Sequence, residues 1–322
     1  MRLPNPYTYS GVAWFRPGVI LILAETPGCE GLPGPCTGVV LKQGPHGGWT
    51  PVLTAPGVEW TAWTRVGAGG FWLSGQSLCL KKTCTPQTVF YRTETEGASW
   101  ESPAHGTTVP VFQAFSATTA TVGYALSGSA VFHTEDGGAT WSRLGRLPVP
   151  KSPAAGFPPR FQASGGTIQV PTPGTLFIST CNGEMVSNSG CETTLFRSTD
   201  GGRTFQILVN RNCTEAATVH MMTPDAGVIL YTGYTMCEGK PWSNVVWATQ
   251  DGFSTMTRTV ILPVQVSALT FFNRNEGWLA GYPLTCQFSQ SVCPLVVEST
   301  DDGGSSWTPL PAPARSVYRG SA

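Results

Sequence analysis

The sequence predicts an all-β fold, a six-bladed β-propeller of four-stranded antiparallel blades, and three observations carry the prediction. The first is a recurring hairpin phrase: "HTEDGGATW" (133–141), "STDGGRTF" (198–205) and "STDDGGSSW" (299–307), with worn copies "KQGPHGGW" (42–49), "RTETEGASW" (92–100) and "ATQDGFSTM" (248–256). The second is spacing. The closing residues Trp49, Trp100, Trp141, Phe205, Met256 and Trp307 lie 51, 41, 64, 51 and 51 residues apart, a period that marks an array of similar small sheets. The third is that the stretches between copies superpose as strand, turn, strand: 9–25, 59–76, 112–129, 167–180, 215–233 and 266–283.

Each unit reads as strand a, tight turn, strand b, variable loop, strand c, hairpin, strand d, and six such units fill residues 1–322 as a single domain. Strand b is apolar and small, as in "FWLSG" (71–75), "GYALSG" (123–128) and "GWLAG" (277–281), the pattern of a strand covered on both faces. At the c–d hairpins Asp136, Asp200, Asp251 and Asp302 stand just before a glycine. There a short carboxylate accepts backbone N–H groups and glycine takes positive φ. Thr140, Thr204 and Ser306 add a hydroxyl to the same turns, and the closing aromatic wedges between sheets. These residues are turn chemistry and receive no catalytic role.

The phrase resembles the Asp-box, the hairpin signature of sialidase-type propellers, secreted glycan-active propellers, sortilin-like receptors and the photosystem II assembly factor of thylakoids. The resemblance implies a fold and is nearly silent on function.

Only 12% of residues are charged and the formal net charge is zero, so the basic footprint that nucleic acid or an anionic membrane requires is absent. No stretch reaches the length of a transmembrane helix, and the apolar run "GVILILA" (18–24) is taken up as strand b. No signal peptide is written, so any leader has been removed or replaced by Met1.

Ten cysteines are present, eight in close pairs: Cys29 with Cys36, Cys79 with Cys84, Cys181 with Cys191, and Cys286 with Cys293. Each pair brackets a b–c loop, where facing strand ends suit a disulfide. Cys213 and Cys237 remain to pair with each other. In a propeller the b–c loops and blade connections share one face, and the a–b turns and c–d hairpins share the other, so all five bridges fall on the loop face. The spacings are not CxxC, and His46, His105, His133 and His220 do not cluster with them. The reading is disulfides in an oxidising, extracellular or extracytoplasmic compartment, with no metal and no cofactor. The proline-rich connection 144–166 is the longest, and reads as a cover, a partner-binding arm or a spacer.

All six aspartates, Asp136, Asp200, Asp225, Asp251, Asp301 and Asp302, fall in hairpins or an a–b turn, away from the mouth where glycosidases of this fold place their acids. Glutamates remain, and Glu25 with Glu59 or Glu215 forms the alternative catalytic set of a sialidase-like glycoside hydrolase. The arginine clamp of sialidases finds no match: Arg16, Arg65 and Arg274 occupy a–b turns, and Arg92, Arg197 and Arg203 the hairpins. His220 reads as a packed core histidine. The favoured reading is a non-catalytic binding or assembly propeller, or a module of a surface assembly, whose partner is a protein or carbohydrate. Its contacts are Lys81, Lys82, Arg160, Phe161, Asn182, Glu238, Lys240, Trp242 and Phe288 on the loop face.

Overall fold

A computed structural model describes residues 8–16, 19–26, 35–44, 48–67, 69–77, 87–102, 111–149, 163–182, 191–214, 216–232, 244–262, 264–271, 273–283, 293–294, 296–310 and 317–318. Among these there are strands and turns and no helix. The chain divides into two compact units, Met1–Leu144 and Gly145–Ala322.

In the first unit, sheet 1 is β1 (Thr8–Arg16), β2 (Val19–Glu25), β3 (Thr37–Gln43) and β4 (Trp49–Pro56), in that spatial order. Sheet 2 is β5 (Val58–Val66), β6 (Gly70–Ser77) and β7 (Thr88–Thr93). Sheet 3 is β8 (Ala114–Ala117), β9 (Gly123–Ser127), β10 (Ala130–Thr134) and β11 (Ser142–Arg146), which runs across the unit boundary. The second unit holds sheet 4, from β12 (Ala163–Thr172), β13 (Thr175–Asn182), β14 (Cys191–Ser198) and β15 (Gln206–Thr214). Sheet 5 follows with β16 (Ala216–Met221), β17 (Gly227–Thr232), β18 (Asn244–Thr249) and β19 (Thr257–Leu262). Sheet 6 has β20 (Val264–Phe271), β21 (Gly277–Pro283), β23 (Val296–Thr300) and β24 (Thr308–Leu310). A separate pair joins β22 (Cys293–Pro294) to β25 (Val317–Tyr318), so residues 317–318 pair with the connection inside sheet 6.

Sheet 2 departs from the expected four strands. Among the described residues its fourth position holds one bridge, Arg92 with Glu101.

The second strand of each sheet lies under its neighbours, as its apolar composition predicts. Consecutive residues point to opposite faces of a strand, so Phe71 and Leu73 on β6 pack with Leu21, Leu23 and Val40 of sheet 1, while Trp72 packs with Phe112 and Phe115 toward sheet 3. In the second unit Ile229 and Tyr231 on β17 join Phe177 and Leu195 of sheet 4, and Val228 and Leu230 join Val264 and Leu279 of sheet 6. Each such side chain, fully buried, contributes about 1.5–3 kcal/mol. One position differs: Trp278 on β21 is 39% exposed.

Packing leaves a polar problem, because the first strand of a sheet is an edge whose outward backbone groups have no ladder partner. Side chains of the preceding sheet supply one. Glu25 Oε1 accepts the N–H of Trp60 at 2.8 Å, Thr88 Oγ1 that of Phe112 at 3.1 Å, Thr167 Oγ1 that of Val219 at 3.3 Å, and His220 Nε2 that of Phe271 at 3.2 Å. Asn244 donates from Nδ2 to the carbonyl of Val264.

Candidate functional site

The hairpin ends of the sheets repeat one hydrogen-bond pattern. In sheet 3 the Thr134 hydroxyl donates to Asp136 Oδ1 and accepts the N–H of Gly138, while Thr140 donates its N–H to Oδ1 and its hydroxyl to Oδ2. The same set recurs around Asp200 with Ser198, Gly202 and Thr204. It recurs around Asp251 with Thr249, Phe253 and Thr255, and around Asp302 with Thr300, Gly304 and Ser306. Phe253 stands where the others have glycine, and keeps the positive φ, 66°. In sheet 2, Thr95 replaces the aspartate and accepts the N–H of Ser99 at 2.9 Å. Thr93 still takes the N–H of Gly97 at 3.1 Å.

These bonds hold the carboxyls below the usual aspartate range. The Thr204 hydroxyl, the Thr204 N–H and the Ser198 hydroxyl lower Asp200, and the Thr255 hydroxyl and N–H lower Asp251. At Asp136 and Asp302 burial pushes upward, and the bonds from Thr140 and Ser306 outweigh it. A carboxylate with its lone pairs engaged in its own turn is a brace and offers little to a substrate.

A second repeat ties the hairpins of sheets 2 to 6 to the a–b turn of their own sheet. Gly137 donates its N–H to Thr121, Gly201 to Gly174, Gly252 to Asp225 and Gly303 to Asn275, with Glu96 donating to Gly69 in sheet 2. Both turns therefore sit at one end of each sheet, and the b–c connections leave from the other. Arginines then link successive sheets at the hairpin end. Arg92 Nη1 donates to Ala120 O at 2.9 Å, and Arg274 donates to Gln250 Oε1.

Of the glutamates read as an alternative catalytic set, Glu25 is 6% exposed at the end of β2, its carboxylate engaged by the Trp60 N–H. Glu59 is the neighbour of Trp60 on β5, and Glu215 lies outside the described residues. Glu298 was not foreseen. It is 8% exposed on β23, and burial pushes its carboxyl up. Nine residues before the closing aromatic, it stands where other copies carry Tyr91, Phe132, Phe196 and Trp247, an alignment that could have flagged it. His220 is a packed histidine, its pKa lowered by burial to about 4.

Among the predicted loop contacts, Lys81, Lys82, Arg160, Phe161, Glu238, Lys240, Trp242 and Phe288 lie outside the described residues, and Asn182 ends β13 with its backbone alone described. Of the cysteines, Cys36 and Cys181 have described side chains, and neither is a free thiol. Cys191, Cys213 and Cys293 are placed by backbone only, and Cys29, Cys79, Cys84, Cys237 and Cys286 lie outside. A cavity of about 200 Å³ opens at the hairpin end between sheets 2 and 3, lined by Val66, Gly70, Trp72, Thr93, Glu94 and Ala120. Among the described residues no group of three metal-ligating side chains occurs, and no helix is long and apolar enough to cross a membrane.

Comparison with known proteins places the fold. No family model matches the chain, and no curated protein does. The β-propeller domain of the Trilobed protease from Pyrococcus furiosus, described as having an open velcro topology, superposes with a TM-score of 0.54 at 7% identity, over 96% of this chain and 86% of that one. YCF48 bound to D1 peptide superposes with a TM-score of 0.50 at 16% identity, over 96% of this chain and 82% of that one. Trypanosoma rangeli sialidase gives 0.48 at 12% identity, and this chain matches 55% of its length. With antiparallel sheets in series, second strands covered on both faces and these structural likenesses, the chain has the β-propeller fold.

Proposed function

We propose that the chain is a single six-bladed propeller of Asp-box hairpins that works by binding, presenting its b–c loops to a protein or a glycan outside the cytoplasm. One observation supports it above others: at the hairpin end, tip carboxylates and turn carbonyls are engaged by the same internal bonds in sheet after sheet. That end is constructed for rigidity. Variation in length and composition is concentrated at the opposite end, where loops are free to diverge without disturbing the ladders.

In this reading Cys29–Cys36, Cys79–Cys84, Cys181–Cys191, Cys213–Cys237 and Cys286–Cys293 brace the loops. In the register Cys181 faces Thr193, two residues from Cys191 on the adjoining strand. Lys81, Lys82, Arg160, Phe161, Asn182, Glu238, Lys240, Trp242 and Phe288 supply the contacts. YCF48 is bound to D1 peptide in the structure this chain resembles, which makes a peptide segment the first partner to test. The test is crosslinking mass spectrometry on the oxidised protein with candidate peptides and a glycan array. Binding is expected to fall at least tenfold in a Lys240→Glu, Trp242→Ala double variant and to survive Thr204→Val at the hairpin end. Equal loss in both would refute the assignment.

A further inference from the structure

One arginine position recurs in two hairpins with different company. Arg92 and Arg197 each stand eight residues before the closing aromatic. In sheet 2, Arg92 Nε and Nη2 donate to Glu101 Oε2 at 2.9 and 2.8 Å, and Nη1 reaches into the next sheet. In sheet 4 the register sets Gln206 opposite Arg197, as Glu101 is opposite Arg92. No acid takes the place of Glu101.

The rest of the setting is kept. The Arg197 guanidinium lies over the buried Phe177 ring, 5.5 Å from its centroid. A Cβ on Gly252 would meet Arg197 Nη1 at 2.9 Å, just as one on Gly137 would collide with Arg92 Nη1. Among the described residues the Arg197 guanidinium makes no hydrogen bond, and its Nε is buried without a partner. A buried donor left unmade is costly, and stacking on an aromatic face fixes the fork without satisfying it. We propose that the Nε–Nη2 edge of Arg197 is a carboxylate-binding site, in which a ligand carboxylate occupies the position that Glu101 fills beside Arg92. Gln206 is exposed and free to turn aside. The fork geometry suits a planar carboxylate. The tip carboxylates of Asp200 and Asp251, engaged in their own turns, add negative charge to this end and disfavour a doubly charged phosphate.

The experiment follows the Arg197 Nε–H resonance of 15N-labelled protein, identified by its loss in Arg197→Lys. Sodium acetate is titrated against sodium chloride at equal ionic strength, with a second arm using a short peptide carrying one glutamate and its glutamine counterpart. Saturable movement with acetate supports a free small carboxylate as occupant, and movement with the glutamate peptide alone supports a protein side chain. Gln206→Glu supplies the partner internally. Its resonance should start near the bound position, and affinity for either probe should fall at least tenfold. No movement with either probe, equal movement with chloride, or undiminished affinity in Gln206→Glu overturns the proposal.

Discussion

Acidification should loosen the seam between sheets 5 and 6 well before it reaches the hairpins. His220 on β16 accepts the Phe271 N–H at Nε2, with the two rings 5.5 Å apart, and burial lowers its pKa from 6.5 to about 4. Protonating Nε2 would set two N–H groups against each other. Between about pH 6.5 and 4 the unfolded chain therefore binds more protons at this residue than the folded chain does, so stability falls with pH across that window and levels off below it. The two pKa values correspond to about 3 kcal/mol at most, less to the extent that the ring edge keeps contact with solvent. The hairpin aspartates, with lowered pKa values, add stability that is present above their unfolded pKa of 3.8 and lost at lower pH. The two windows are thus separate. Urea unfolding at pH 7, 6, 5 and 4.5 should show the loss in wild type. In His220→Gln, where an amide oxygen accepts the same N–H and does not titrate, the slope should flatten. An unchanged slope in that variant would refute the assignment.

Other perturbations test the scaffold. Thr134→Val leaves the buried N–H of Gly138 without its acceptor, and should cost about 1–3 kcal/mol in chemical unfolding. Gly137→Ala, at φ 75° with Arg92 in the way, should destabilise more than Gly128→Ala, at φ 58° with open space around it. The second should cost about 1 kcal/mol. Glu25→Gln retains an acceptor for Trp60 and should unfold as wild type does, whereas Glu25→Ala should lose about 1–3 kcal/mol. An aryl-glycoside turnover present in wild type and abolished by Glu25→Gln would favour the hydrolase reading.

The hairpins were legible because their chemistry is local: Asp136 and every partner it has lie within four residues. The strands were legible from apolar runs such as 71–73 and 228–231, which must be covered on both faces. What the sequence hid depends on distant residues. Glu25 was read into a catalytic set because a structural partner, the Trp60 N–H, is 35 positions away. Arg92 and Arg197 look alike in their phrases, and only register tells that one faces an acid and the other an amide.

Each of the six sheets takes its strands from one continuous stretch of chain, without borrowing from a distant one. A ribosome releasing this polypeptide therefore exports finished pairings one at a time, and among the described strands of these sheets none waits exposed for a ladder mate from a later sheet. Chains of this kind have little opportunity to exchange strands with neighbours while young, since the contacts that close each layer are short in sequence.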